Sequence, residues 1–309
     1  RLPLACRSGS CVKRAATRKT LMQVAGKDIT VREMTDAEFA RLVDFIQRQC
    51  GIKMPLSKKI MLQTRLHKRL RFLNLASFGE YADYVFSPKG SDEELFHMID
   101  AVTTNKTDFF RESRHFDFLR DKVLSTSRPD GLRPKARHLK FWSAGCSTGE
   151  EPYTLAMVLA EHMLAEPSFH FTILATDIST KVLRHAASAI YAHEKIEPVP
   201  MPLRKKYLLK SKDKQRVRIC PELRARVSFK RVNFMDDRYA IGDMMNAIFC
   251  RNVIIYFDRE TQEAILKRIC RHLLPGGYLF MGHSETLSGM NLPLQFITSS
   301  IYRKRHDAS

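Results

Sequence analysis

Apolar residues recur at helical spacing from residue 30 to about residue 101. Thr35 precedes Asp36, Glu38 and the apolar positions Phe39, Leu42, Val43 and Ile46, the pattern of a capped helix start. A second helix is predicted over 57–73, where Leu62, Leu66, Leu70 and Leu73 fall on one stripe, and two more over 77–86 and 91–101. From about Leu139 the rhythm changes to short apolar runs alternating with helical stretches, which predicts βαβ units and a mostly parallel sheet. Strands are expected at 139–144, 171–176, 227–232, 247–251 and 278–282, with crossover helices at 151–164, 180–187 and 259–273. Pro275-Gly276-Gly277 reads as a stop and turn, and 294–304 as an antiparallel edge pair. A lysine-rich turn at 210–214, flanked by apolar stretches at 207–209 and 217–219, reads as an inserted β hairpin. The expected architecture is α/β: a doubly wound, mostly parallel sheet over 105–309 with a small β insertion at about 205–226, preceded by a small all-α domain over 31–104.

Composition adds limits. With 44% hydrophobic residues in 309, the chain can bury a full core. The apolar runs 247–250 and 253–257 are broken by Arg251 and Asn252, far short of the roughly eighteen residues a membrane span needs. The first thirty residues set Arg1, Arg7, Lys13, Arg14, Arg18, Lys19 and Lys27 against Asp28 without an apolar h-region, so a basic disordered tail is expected rather than a secretory signal. The net charge of +19 stays strongly positive without that tail and calls for an anionic partner: nucleic acid, a membrane surface or an acidic protein. The seven cysteines show neither C-x-x-C pairs nor a zinc spacing, so reduced, buried thiols and a cytosolic setting are expected.

The segment from Phe141 to Tyr153 runs as a strand, a turn containing Gly145 and Gly149, and a helix, the place where a nucleotide-like cofactor lies against backbone in such a sheet. It is not the G-x-G-x-x-G fingerprint. Glu150 and Glu151 at the helix start would repel a pyrophosphate and welcome a cationic, phosphate-free cofactor, which points from NAD towards S-adenosylmethionine. Asp177 at the end of the second strand can accept both ribose hydroxyls or cap the next helix; beside the glycine turn, ribose binding is favoured.

The run Thr103 to Glu112 (TTNKTDFFRE), Ser147 to Tyr153 (STGEEPY), Thr176-Asp177-Ile178, Cys250 to Asp258 (CRNVIIYFD) and Gly282-His283-Ser284-Glu285 resemble, in order, the signature segments of the CheR family of chemotaxis-receptor methyltransferases. The resemblance spans about 32–304. It implies S-adenosyl-L-methionine as methyl donor, S-adenosyl-L-homocysteine as product, and no metal. It further implies a cofactor site lined by Asn105, Thr107, Arg111, Glu151 (or Glu150, one position away), Asp177, Asn233, Phe234, Arg251 and Asn252, with Arg111 and Tyr256 nearest the transferred methyl. The expected substrate is glutamate on the cytoplasmic helices of methyl-accepting receptors, reached by a cytoplasmic, monomeric enzyme that is peripheral to the membrane through the receptor. Another acidic protein or nucleic acid is the alternative substrate, although no aromatic-interleaved basic ladder favours nucleic acid.

Each residue also has a plainer reading. Arg111 could pair with Glu112 or Asp108 on the surface, Tyr256 could be a core tyrosine, and His283 a structural histidine rather than a base. A glutamate with a pKa near 4.3 is already ionised and needs no base to attack a sulfonium methyl. Gly145-Cys146-Ser147-Thr148-Gly149 also fits a nucleophile elbow, with Ser147, Asp258 and His283 in hydrolase order, but it follows the first strand of its domain, too early for that fold. In some CheR relatives the inserted hairpin grips a receptor tether through a glycine-rich loop; the stretch 209–215 has no glycine, so a tether-independent enzyme is expected. Finally, no acid lies between Phe45 and Gly79, while Lys58, Arg65, Lys68 and Arg69 flank the leucine stripe; that one-signed face is expected to meet the receptor.

Overall fold

The computed structural model describes residues 31–125 and 137–306; the basic tail expected over 1–30 lies outside them. Helix α1 (Asp36–Cys50) starts at a complete capping box: Thr35 accepts from the Glu38 amide and Glu38 accepts from the Thr35 amide. Helix α2 (Lys59–Leu73) follows, then α3 (Phe78–Phe86), α4 (Pro88–Glu93) and α5 (Leu95–Val102). The single helix expected over 91–101 is thus two, broken at Glu94. Leu62, Leu66 and Leu70 of α2 are fully buried with Phe78, Tyr81 and Met98, the core the leucine stripe foretold.

Glu38 does more than cap. Its carboxylate also accepts from the Gly79 amide at 2.6 Å and pairs with Arg32 at 2.6 Å, joining α1 to the start of α3. Burial alone would raise this carboxyl, but the bonds from Thr35, Arg32 and Gly79 hold it below the ordinary carboxylate value. The Glu38→Gln protein is expected to lose about 1–2 kcal/mol at neutral pH, measured by denaturant unfolding. Because the folded-state pKa is the lower one, this stability is complete above about pH 4.3 and lost as pH falls through the folded value. The gap between the two proteins should therefore close in acid.

After the short α6 (Arg114–Phe118) and a π-helical turn at Leu119–Leu124, the sheet begins. Strands β1 (Arg137–Ala144) and β2 (Phe169–Asp177) flank helix α7 (Glu150–Ala165), and α8 (Thr180–Ser188) follows. Next come β3 (Ile190–Ala192), α9 (Met201–Tyr207), β4 (Leu208–Lys210), β5 (Arg216–Ile219) and α10 (Pro221–Arg224). The chain then runs through β6 (Val227–Arg231), β7 (Met245–Cys250), α11 (Arg259–Arg271), β8 (Leu273–Met281), β9 (Leu294–Thr298) and β10 (Ile301–Lys304). The main sheet has the order β6-β2-β1-β7-β8-β10-β9, with every neighbouring pair parallel except β8–β10 and β10–β9, so that β10 alone runs against the rest. Consecutive residues bury on opposite faces: Phe141, Phe249 and Phe280 towards α7, and Trp142, Ile248 and Leu279 towards α11. Both faces are covered, which is why these strands read as continuous apolar runs.

Two expectations change. Strand β8 begins at Leu273, not Tyr278: Met245 pairs with Leu273 and Ala247 with Tyr278, so Pro275-Gly276-Gly277 bulges out of the strand instead of preceding it. The inserted hairpin β4–β5 is present, but β3 completes it as a three-stranded antiparallel sheet, drawing in residues upstream of the expected insertion. Three residues carry too little pattern to be read as a strand.

Candidate active site

The strand order reverses between β1 and β7: the chain builds outward through β2 to β6, then returns to the other side of β1. A crevice opens at the carboxyl ends of strands at such a switch point. Here it is a cavity of about 320 Å³. Asn105, Thr107, Arg111, Glu151, Asp177, Asn233, Phe234, Arg251, Asn252 and Tyr256 all line it.

Its floor is the turn after β1. Gly145 has φ +84, and a Cβ there would lie 2.4 Å from Val253. Only glycine fits. The amides of Gly145 and Cys146 donate to Thr176 O at 2.8 Å, binding the ends of β1 and β2 together. Asp177 is buried; its two oxygens accept from the Ser147 and Ser179 amides, each at 2.9 Å. The cap of α8 is Ser179 rather than Asp177. Burial raises the Asp177 carboxyl, and those amides pull it back. The carboxylate faces the cavity with lone pairs to spare. If it holds a ribose diol, Asp177→Ala should weaken cofactor binding on the order of tenfold to a hundredfold, each charged contact being worth about 1.5–3 kcal/mol at most; an unchanged dissociation constant by calorimetry would leave it a purely structural brace.

The two glutamates at the start of α7 part company. Glu151 lines the cavity, accepting from Ser143 Oγ at 2.6 Å and lying 3.2 Å from Arg251 Nη1. Glu150 does not line it and accepts from Thr148 Oγ1. Burial raises the Glu151 carboxyl, with Arg251 and Ser143 opposing. Glu151 and Asp177 thus bring two carboxylates to the cavity, which suits a cationic ligand.

Arg251 is a hub. Its side chain, 3% exposed, donates to Glu112 at 3.1 Å and to Arg111 O, besides pairing with Glu151. Most of its donors are spent inside the protein, so it braces the wall more than it offers a ligand contact. Asn233 is similarly engaged, donating to Gln49 O at 2.7 Å and accepting from the Met235 amide. Arg111, by contrast, pairs with neither rival: Glu112 turns to Arg251 and Asp108 to Lys195. Among the described residues its side chain donates to Lys106 O alone, at 3.3 Å, and it stands close enough to Tyr256 to oppose, by its charge, the rise that burial imposes on that phenol.

Two features escaped the sequence reading. Glu285 is buried, and its carboxylate accepts four amides: Gly282 and Asn252 on one oxygen, Val253 and Ile254 on the other, at 2.6–2.9 Å. It thereby holds the loop that carries Asn252, at φ +59, and Tyr256. Its place in the Gly282–Glu285 segment was the only signal. The second is the wall supplied by the helical domain, where Cys50, Ile52, Met54, Lys58 and Met61 close the cavity. The Lys53 amide bonds Tyr256 O at 3.0 Å, and Gly51, at φ +72, has room for no Cβ beside Phe257 and Met235.

The basic face of α2 is partly redirected. Lys58 lies at the cavity and Lys68 is exposed, but Arg65 donates to Val102 O, Thr103 O and Thr104, and Arg69 forms a bidentate pair with the buried Glu94. Lys59 pairs with Asp36. The acids missing from α2 arrive from elsewhere in the fold, which no i,i+4 inspection of one helix can show. The hydrolase reading also fails: Ser147 Oγ donates to Asn105 O, Asp258 caps α11, and His283 packs on His115.

Fold and site together define a methyltransferase of the S-adenosylmethionine-binding, Rossmann-like class. The CheR methyltransferase SAM-binding domain matches residues 105–303, and the CheR methyltransferase all-alpha domain matches 37–103. The chain is 38% identical over 272 residues to the chemotaxis protein methyltransferase of Borreliella burgdorferi, covering 88% of this chain and 95% of that one. It is 36% identical over 277 residues to that of Escherichia coli, covering 89% and 93%, and 38% identical to chemotaxis protein methyltransferase 2 of Pseudomonas aeruginosa, covering 87% and 93%. The chain belongs to the CheR methyltransferase family. Among the described residues, no helix is long and apolar enough to cross a membrane.

Proposed function

We propose that this enzyme transfers the methyl of S-adenosylmethionine to glutamate side chains on the helices of methyl-accepting chemotaxis receptors, giving glutamate methyl esters and S-adenosylhomocysteine. The observation that carries this reading is the pairing of Arg111 and Tyr256 in the cavity, a guanidinium that forms no salt bridge among the described residues beside a half-buried phenol. A carboxylate nucleophile needs no base. It needs a counter-charge, a hydroxyl donor and alignment of oxygen, methyl carbon and leaving sulfur. Arg111 supplies the first and Tyr256 the second, while the carboxylates of Glu151 and Asp177 in the same cavity favour a cationic methyl donor. Opposite charges disappear in the product, so the walls from Ile52, Met54 and Phe257 assist by thinning the water. The names of the relatives support the receptor as substrate.

Incubation with radiolabelled S-adenosylmethionine and bacterial membranes should give protein-bound label that alkali releases as methanol. Base-stable label, or saturable incorporation into RNA, would refute the proposal.

For the receptor-facing surface, Ile60, Thr64, Lys68 and Phe72 recur every fourth residue along the exposed side of α2, with Arg71 beside them. Ile60 and Phe72 are 78% and 72% exposed. A mixed cationic and apolar strip suits a helix that displays glutamates. Lys68→Glu with Arg71→Glu should raise the Michaelis constant for receptor several-fold, most at low salt, and leave cofactor affinity unchanged; equal receptor kinetics in the two proteins would remove α2 from the interface.

A further inference from the structure

Beside Arg251, outside the lining of the cavity, three side chains converge. The Glu112 carboxylate, a ring nitrogen of His115 and a ring nitrogen of His283 lie within 4.8 Å of one another. His115 is 1% exposed, and neither of its ring nitrogens has a hydrogen-bond partner. Its Nδ1 stands 3.5 Å from Glu112 Oε2, within ion-pair range but not aligned as a hydrogen bond. A neutral imidazole carries one donor and one acceptor, and burying either unsatisfied is costly. Packing fixes the ring, which meets Phe280 at 5.7 Å and His283 at 5.3 Å, both edge to face. His283 is exposed, so the cluster is reached from solvent.

We propose that Glu112, His115 and His283 form a binding site for a divalent transition metal of the zinc type, and that its occupancy opposes S-adenosylmethionine binding. Two imidazoles and a carboxylate are a zinc donor set, with a fourth position left for water. Zinc bonds of about 2.0–2.1 Å place tetrahedral donors roughly 3.4 Å apart. Glu112 Oε2 and His115 Nδ1 already stand 3.5 Å apart, so the adjustment that binding requires falls on the exposed His283 side chain. The metal takes no part in methyl transfer. Its effect passes through Glu112, which also accepts from Arg251 Nε at 3.1 Å, while Arg251 Nη1 faces Glu151 in the cavity. A cation that claims the Glu112 lone pairs leaves the Arg251 charge less compensated and adds its own, so a sulfonium ligand meets a more positive wall.

The test uses the full chain, stripped of metal and titrated with zinc chloride, beside His283→Ala, a change at an exposed side chain. The native protein should show a saturable zinc site that His283→Ala weakens by about tenfold or more. Saturating zinc should raise the dissociation constant for S-adenosylmethionine at least about threefold in the native protein and not in the variant, with the cofactor weakening zinc by the same factor. Equal zinc affinity in the two proteins, as zinc held on cysteines would give, overturns the site. Zinc that binds the native protein without changing cofactor affinity overturns the coupling.

Discussion

Glu285→Gln is expected to lower S-adenosylmethionine affinity by on the order of tenfold to a hundredfold and turnover with it, although the side chain does not line the cavity. Each carboxylate oxygen accepts two backbone amides, and all four donors lie on the turn at Gly282 or on the Asn252–Ile254 loop. Glutamine keeps one acceptor oxygen and sets an NH2 against two of those donors. Each amide so stranded costs about 1–3 kcal/mol. The loop holds Asn252 in the left-handed region at φ +59, and without the carboxylate that strain is released by a different backbone course. Because Tyr256 follows on the same loop, cofactor affinity and turnover should fall together. Calorimetry with S-adenosylmethionine beside single-turnover methylation makes the measurement; native cofactor affinity in the variant would show that the loop holds its shape unaided.

Tyr256→Phe should behave in the opposite way, reducing turnover about tenfold to a hundredfold with the cofactor dissociation constant within about twofold of native, since a hydrogen bond to a charged group is worth about 1.5–3 kcal/mol. The phenol is half-buried and among the described residues its hydroxyl donates to no protein group, so removing it strands nothing in the resting enzyme. Under the proposed mechanism its contribution arises only when a substrate carboxylate lies between it and Arg111. Loss of cofactor affinity in step with turnover would make Tyr256 a wall of the cavity rather than a participant.

Much of this was legible in the chain. The leucine stripe of α2, the capping box at Thr35 and the alternation of apolar runs with helices state local rules, and each was realised in the fold. The residues expected around the cofactor also converge on one cavity: Glu151, Asp177, Asn233, Phe234, Arg251 and Asn252 stand at or just after the ends of strands that a parallel sheet must bring to the same edge, while Asn105, Thr107 and Arg111 come from the segment between α5 and α6.

Pairings between distant segments were decided only in three dimensions. Arg251 meets Glu112 and Glu151, Arg69 meets Glu94, and Glu285 meets the Asn252 loop; in each case a buried charge finds a partner brought to it by packing, not by sequence spacing. A charged side chain cannot remain buried alone, so the sequence announces the need for partners without naming them. That is why Arg65 and Arg69 read as a free surface and prove to be internal fasteners, and why the helical domain, of which only a basic face was expected to meet the receptor, also closes the cavity through Cys50, Ile52 and Met54. Periodicity records which face of an element is buried; what lies against that face is settled by the tertiary structure, where sheet order and helix docking select the neighbour.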